Sequence, residues 1–180
     1  MKYLMVAAMC LWISAAGVSL AGEEALDHTL VDGPLVFSWT VGDGALRVKL
    51  TGKTTGWVAV GFNPDKMMKG ADFIMGYVKD GKVKVTDHFG NGERNHKADT
   101  RVGGRNDLTR TSGSEKEGVT EIFFTLPLKS GDPNDKELDP EAMTTVLLAL
   151  GSGRDSFRSV HKFRSVHRVN LSSGVSEKVK

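Results

Sequence analysis

The sequence predicts an all-β, antiparallel β-sandwich that forms a single domain, and three observations support this prediction. Short runs of residues alternate between apolar and polar side chains with a period of two. Glycine, proline, asparagine or aspartate closes each run, as is typical of strands joined by turns. No segment of ordinary helix length shows an amphipathic pattern, and no change in composition marks a second domain.

The clearest strand is Ala45–Leu50, in which apolar residues occupy one face and Arg47 and Lys49 the other. Gly42-Asp43-Gly44 and Asp80-Gly81 are hairpin turns. A long, polar, glycine-rich segment, 91–118, is a surface loop or a loop with one weak strand near 107–112. The same signals predict strands over 35–41, 45–50, 56–62, 72–79, 82–88, 119–128, 144–150 and 159–171.

The N-terminal segment has the features of an export signal. Lys2 precedes an apolar stretch over 4–18, and Ser19-Leu20-Ala21 provides a small-residue cleavage site. We therefore expect a signal peptide over 1–21, a polar lead-in over 22–33, the sandwich over 34–172 and a flexible tail over 173–180. The expected protein is periplasmic or secreted, with no stable membrane anchor after cleavage.

Composition excludes several kinds of chemistry. The only cysteine, Cys10, lies in the expected signal peptide, which leaves no disulfide, thiolate nucleophile, iron–sulfur cluster or covalent haem attachment in the exported chain. The net charge is +2 with interspersed signs, which gives no basis for nucleic-acid binding. No nucleophile elbow, phosphate loop or metalloprotease motif is present, so we expect a protein that is not an enzyme.

Histidine and methionine remain as side chains that could hold a metal or cofactor. His88 and His96 flank a glycine-rich turn, where a metal pair with Asp87 or Asp99 as third ligand competes with ordinary loop histidines.

Two further pairs remain open in the sequence. His161 and His167 would share one face of the last strand unless a bulge near Arg164-Ser165 intervenes. Met67 and Met68 follow a polar loop, where they line a cavity or fill the core, and at most one of them can face a given pocket.

Two adjacent stretches, GWVAVGFNP at 56–64 and MMKGADFIMGY at 67–77, resemble the DOMON domain family. Three later segments occur in the order that this family shows, at 85–87, 124–135 and 150–170, so that the resemblance spans about 35–171. It implies an immunoglobulin-like β-sandwich that holds either b-type haem or a sugar in a cavity at one end.

The haem-binding members, such as the cytochrome domain of cellobiose dehydrogenase, use a methionine after the GWxAxG strand and a histidine near the C-terminus. On this chain the resemblance implies Met68 and His161 as axial ligands, with Met67 and His167 as alternatives. The side chains expected to contact the macrocycle or its propionates are Trp57, Phe62, Phe73 and Arg164, with Lys162 as an alternative to Arg164.

A methionine–histidine pair leaves no open coordination position on the iron, so the resemblance implies electron transfer to a transient redox protein partner. A second hypothesis is a carbohydrate-binding module of the same fold, in which Trp57 or Trp39 stacks on a sugar. A third is a copper-handling protein that uses His88, His96 and the methionines, which requires these side chains to meet at one site.

Overall fold

The computed structural model describes residues 25–179, and its regular structure is almost entirely β-strand. A 3-10 helix, Asp99–Arg101, is the one short exception among these residues. In chain order the strands are β1 His28–Asp32, β2 Leu35–Gly42, β3 Ala45–Gly52, β4 Val58–Phe62, β5 Asp72–Lys79, β6 Lys82–Gly92, β7 Asn95–Ala98, β8 Thr109–Lys116, β9 Val119–Pro127, β10 Met143–Gly151, β11 His161–Asn170 and β12 Ser176–Lys178.

The strands form two antiparallel sheets that pack face to face. One sheet has five strands in the order β1-β2-β3-β9-β8, and the other has seven in the order β12-β11-β10-β4-β5-β6-β7. Neighbours β3 and β9, and β4 and β10, are far apart in sequence, so each sheet is assembled from both halves of the chain. This arrangement confirms the all-β sandwich that the sequence predicts.

The core lies between the two sheets and is built from the inward residues of alternating strands. Trp39 is fully buried there, where its ring stacks on Phe37 with centroids 4.7 Å apart. Its indole Nε1 donates a hydrogen bond of 2.8 Å to the carbonyl of Leu171, so that the one polar atom of this side chain is paired. Each large apolar side chain buried in this way stabilises the fold by about 1.5–3 kcal/mol.

Strands occur in the predicted lead-in, loop and frayed tail, and β8 overlaps the weak strand that the sequence predicts near 107–112. β1 lies in the lead-in and pairs with β2, β7 and β8 lie within 91–118, and β12 lies in the tail and pairs with β11. These strands are at or near sheet edges and have few buried residues, so their hydrophobic pattern is weak. The expected signal peptide, 1–21, lies outside the described residues.

Over residues 25–179, no helix has the length and apolar character that crossing a membrane requires.

An ion-pair network fixes the edge of the sandwich formed by β1, β11 and β12. Lys178 Nζ donates to Asp32 Oδ1 at 2.8 Å, and His167 Nε2 lies 2.9 Å from Asp32 Oδ2. Burial opposes ionisation of this carboxyl, but the hydrogen bonds from Lys178 and His167 outweigh it and lower the pKa of Asp32 from 3.8 to about 2. The ionised carboxylate therefore ties the C-terminal strands to β1.

We expect Asp32→Asn to lower the free energy of unfolding at pH 7 by roughly 1.5–3 kcal/mol, because charge-assisted hydrogen bonds are lost. Because the folded-state pKa is lowered, the contribution of Asp32 is present above pH 3.8 and disappears as pH falls toward about 2. Urea unfolding at successive pH values measures this difference. Asp43→Asn, in the exposed β2–β3 turn, is the control, and a difference that does not depend on pH would contradict the prediction.

Candidate functional site

The outer face of the seven-stranded sheet carries a second apolar cluster, separate from the core between the sheets. It arises because β4, β5 and β10 present apolar residues on both faces, so that alternate residues point away from the sandwich. We call it the outer-face patch. Its buried members are Trp57, Ala59, Ala71, Phe73 and Met75, and the partly buried residues against them are Met68, Tyr77, Leu147, Ala149 and Phe157.

The strand register arranges these residues in rows across the sheet. Phe73 lies opposite Gly61 on one side and His88 on the other. Met75 lies in the next row, between Ala59 and Thr86. The ring of Phe73 occupies the space that a Cβ at Gly61 would fill, so only glycine fits at this position.

Of the two adjacent methionines, Met68 contacts the patch and Met67 is solvent-exposed. Both lie in the β4–β5 loop, where Met67 has a φ of 56°. The Met68 amide donates to the carbonyl of Glu93, and the Met68 carbonyl lies directly against Gly90. The β6–β7 hairpin therefore fixes the backbone of Met68 and directs its thioether to the patch.

An even separation of six residues would place His161 and His167 on one face of a regular strand. In the structure they face opposite sides of the sheet. The register between β10 and β11 shifts at Leu150 and Gly151, so that His161 lies opposite Gly151. Since opposed residues share a face, and Gly151 faces the Trp57 indole, His161 lies on the outer face. His167 lies opposite core residue Val146 and is buried beside Asp32.

The remaining predicted contact residues also separate by face. Phe62 is fully buried in the core between the sheets, on the side opposite Trp57 and Phe73, so it supports the sheet from behind the patch. Arg164 is exposed and lies opposite Ala149, at the edge of the patch.

His88 and His96 are in contact at the side of the patch formed by β6 and β7. Their Nδ1 atoms lie 3.0 Å apart, and His88 Nε2 lies 2.9 Å from the hydroxyl of Thr86. Burial, reinforced by the neighbouring charges of His96, Lys84 and Arg101, lowers the pKa of His88 from 6.5 to about 4. Burial also lowers the pKa of His96. Both rings are therefore neutral at pH 7, which is the form of imidazole that binds metals.

The carboxylates considered as third ligands do not join this histidine pair. Asp87 is adjacent to His88 in β6 and points to the opposite face of the sheet, and Asp99 lies beyond β7 in a separate group of carboxylates. The sequence predicts a metal site that combines the two histidines with a carboxylate. In the structure the carboxylates are separated from the histidines.

Phe157, in the β10–β11 loop, covers part of the patch. Its ring centroid lies 4.9 Å from that of Tyr77 and 5.2 Å from that of His88. Trp57 is held at the base of the same loop by a hydrogen bond of 2.8 Å from Nε1 to Ser159 Oγ. Any ligand that occupies this part of the patch must displace Phe157.

Met68 and His161 lie at different ends of the patch. Met68 lies near Phe73, which is paired with Gly61 of β4. His161 lies opposite Gly151, beside Trp57, which is four residues before Gly61 in the chain. At about 3.4 Å per residue, the two rows are roughly 14 Å apart. His88 and His96 lie on the Met68 side.

Sequence reasoning missed Met75, Tyr77 and Phe157. The first two share a face with Phe73 at a spacing of two residues, so the alternation in β5 was sufficient to identify them. Phe157 lies in an irregular loop, and no periodic signal marks it.

We expect Gly90→Ala to destabilise the fold by about 1–3 kcal/mol, because the new methyl group would overlap the Met68 carbonyl. Gly92→Ala, in the same hairpin, is the matched control, since its Cβ would meet Asn95 at an ordinary 3.6 Å. Denaturant unfolding of both variants measures the difference. Equal stability of the two variants would show that close packing on Gly90 does not fix Met68.

We expect His88 to titrate near pH 4, as monitored by the pH dependence of its imidazole NMR signals. Its folded-state pKa is below 6.5, so the stability that neutral His88 provides is lost as pH falls from 6.5 toward 4. His96→Gln should raise the pKa of His88, because it removes a neighbouring positive charge. Assignment comes from His88→Gln, and titration of His88 near 6.5 would contradict its buried, neutral state.

Comparisons with known proteins agree with this architecture. DBH-like monooxygenase protein 1 from Homo sapiens is 30% identical over 135 residues, which cover 74% of this chain and 21% of that protein. The protein of the same name from Mus musculus is 30% identical over 101 residues, which cover 56% of this chain and 16% of that protein. The matched region thus spans about a fifth of the length of these curated relatives.

A solved structure has the same fold. The cytochrome b domain of pyranose dehydrogenase from Coprinopsis cinerea superposes with a TM-score of 0.53 at 10% sequence identity, covering 78% of this chain and 80% of that one. The DOMON domain profile matches residues 31–151, which is more than half of the chain and includes β2 to β10. The chain therefore belongs to the DOMON domain family.

Proposed function

We propose that this domain binds b-type haem non-covalently on the outer-face patch and transfers electrons to or from a redox protein partner, without catalysing a reaction of its own. The observation that carries the proposal is the patch itself. An apolar surface on the outside of a sandwich sheet carries a thioether and neutral imidazoles at its edges. These residues are covered in this structure, in part by Phe157, and an apolar cluster outside the core offers a surface against which an apolar ligand can be buried.

The residues present fit haem chemically. Residues 25–179 contain no cysteine, so a cofactor must be held by apolar burial and by histidine or methionine. In the proposal Met68 provides the sulfur ligand from the β4–β5 loop, and His161 provides the imidazole from the start of β11. Trp57 and Phe73 form the apolar floor, and exposed Arg164 is available to a propionate.

This arrangement requires movement within the domain. The β10–β11 loop, which carries Phe157, must withdraw from Tyr77 and His88 to make room for the macrocycle. The rest of the floor belongs to paired strands.

Haem iron with methionine and histidine ligands exchanges single electrons, and the thioether raises its reduction potential. The protein's contribution is to hold both ligands, exclude water from the apolar floor and leave an edge open for a partner. Fold similarity to a cytochrome b domain supports this function. The N-terminal segment over 1–21 supports export to the periplasm or beyond the cell.

Binding of a sugar is less well supported. Trp39 is fully buried in the core, and Trp57 is 4% exposed with its Nε1 bonded to Ser159. Trp39 therefore has no face open to a sugar, and Trp57 would become accessible only if the β10–β11 loop withdrew, as haem binding also requires.

The contact between His88 and His96 favours copper binding as a second candidate function, with Met68 as a soft ligand on the same side of the patch. It lacks the carboxylate that the sequence suggested as a third ligand.

Haem reconstitution followed by visible spectroscopy tests the proposal. The wild type should take up one equivalent of haem and show sharp reduced α and β bands. Met68→Ala and His161→Ala should lose these bands and bind haem at least about tenfold more weakly. Met143→Ala and His28→Ala replace an exposed methionine and a half-buried histidine in β1 of the other sheet, and they should take up haem as the wild type does.

Failure of the wild type to take up stoichiometric haem would contradict the proposal, and stoichiometric copper uptake in its place would favour the second candidate. Loss of the bands in His88→Ala, with His161→Ala unaffected, would retain haem binding and transfer the imidazole ligand to His88.

A further inference from the structure

A group of buried carboxylates lies at one end of the sandwich, on the opposite side of the seven-stranded sheet from the patch. Carboxylate oxygens of Asp72, Asp87 and Asp135 lie within 4.8 Å of one another. Oxygens of Asp99, Asp132 and Asp135 form a second such group, so that Asp135 belongs to both. We call these five residues the aspartate centre.

Three of these side chains are almost completely shielded from solvent. Asp72 is 1% exposed, Asp87 is 2% exposed and Asp99 is 1% exposed. Both carboxylate oxygens of Asp72 and Asp87 are buried without a hydrogen-bond partner. Asp99 and Asp135 have only the side chains of Asn134 and Ser130 as neighbouring donors. Buried carboxylates are normally paired or hydrogen-bonded, because an isolated buried charge is costly. In the described part of the chain the Arg105 guanidinium pairs with Asp107, and no ion pair involves these five carboxylates.

The backbone around the centre is shaped to hold oxygen ligands together. Asp132 accepts hydrogen bonds from the amides of Arg105, at 2.6 Å, and Asn134, at 2.9 Å. A Cβ at Gly104 would lie 2.6 Å from Asp99 Oδ2 and 2.9 Å from Asp132 Oδ1, so only glycine allows these carboxylates to converge. The loop that carries Arg105 and the loop that carries Asn134 are thus both hydrogen-bonded to Asp132.

We propose that the aspartate centre binds calcium. Calcium takes six to eight oxygen ligands at about 2.3–2.6 Å, which keeps ligand oxygens within roughly 5 Å of one another. The donor set contains oxygen and no nitrogen or sulfur, which disfavours zinc and copper. Magnesium requires near-octahedral geometry and retains several waters, which suits this dry and irregular group less well.

Close packing of the carboxylates opposes their ionisation in the absence of a cation. Burial, and then the neighbouring carboxylates, raises the pKa of Asp87 to about 8 and the pKa of Asp99 to about 7. The same causes raise the pKa of Asp72 and Asp135. A divalent cation removes this repulsion and restores the ionised form.

The position of the centre indicates what calcium would do. Asp72 and Asp87 lie in β5 and β6, Asp99 begins the 3-10 helix, and the other two aspartates lie in the β9–β10 loop. Calcium therefore joins the seven-stranded sheet to a loop that leaves the five-stranded sheet. Asp72 and Asp87 precede Phe73 and His88 of the patch, so calcium also stiffens the strands that carry the patch.

Thermal unfolding of the purified chain after treatment with EGTA tests this proposal without any haem readout. Adding CaCl2 to about 10 mM should raise Tm by at least about 4 °C, and excess EGTA should reverse the shift. MgCl2 at the same concentration should produce a smaller shift. Asp87→Asn and Asp135→Asn should remove the response, whereas Asp80→Asn, an exposed carboxylate in the β5–β6 turn, should retain it.

In EGTA the two centre variants should melt no lower than the wild type, because the carboxylate oxygens that they remove make no hydrogen bond within 3.5 Å. This keeps loss of calcium binding distinct from loss of folding. The absence of a calcium-dependent Tm shift in the wild type would overturn the proposal, as would an equal shift with magnesium or an unchanged shift in Asp87→Asn. Calorimetric titration of the EGTA-treated wild type should show saturable calcium binding, and its absence would overturn the proposal equally.

Discussion

The pairing of β4, β5 and β6 is the constraint on which the rest of the structure depends. Because successive side chains in a strand point to opposite faces, three paired strands build two different environments at once. Their inward residues, such as Val60, Phe62 and Ile74, complete the core between the sheets. Their outward residues form the floor of the patch. A register slip of one residue would exchange the two sets, so core burial also positions the candidate ligands.

The same alternation separates two kinds of chemistry in β5 and β6. Asp72 and Asp87 point toward the interior end of the sandwich, and the residues that follow them, Phe73 and His88, point to the patch. The soft and neutral side chains are therefore kept apart from the hard anionic ones by the thickness of a single sheet. A soft-metal or haem ligand set and an oxygen-rich cation site can be stable in one small domain for this reason.

Much of the architecture could be predicted from the sequence, because alternation and turn residues are local signals. The hairpin turns that the sequence predicts at Gly42-Asp43-Gly44 and Asp80-Gly81 are present in the structure. The positions of His161 and His167 could not be predicted, since a shift in register at Gly151 decides which face each imidazole occupies. The contact of His88 with His96 depends on a β6–β7 hairpin whose second strand has a weak pattern.

The aspartate centre could not be predicted from the sequence either. Its members span residues 72–135 and come together only when both sheets and their loops have formed, so no spacing in the sequence reveals them. Phe62 is adjacent to Gly61 in β4, and the family resemblance implies that it contacts the cofactor together with Trp57. Because successive residues of a strand point to opposite faces, Phe62 lies in the core instead.

The central claim is that the outer face of the seven-stranded sheet is the haem site. A crystal structure of the haem-loaded protein, with anomalous diffraction data collected at the iron absorption edge, tests it most directly. We expect an iron peak above the patch, within bonding distance of the Met68 sulfur, and a β10–β11 loop withdrawn from Tyr77. An iron peak between the sheets, or beside the aspartate centre, would contradict it.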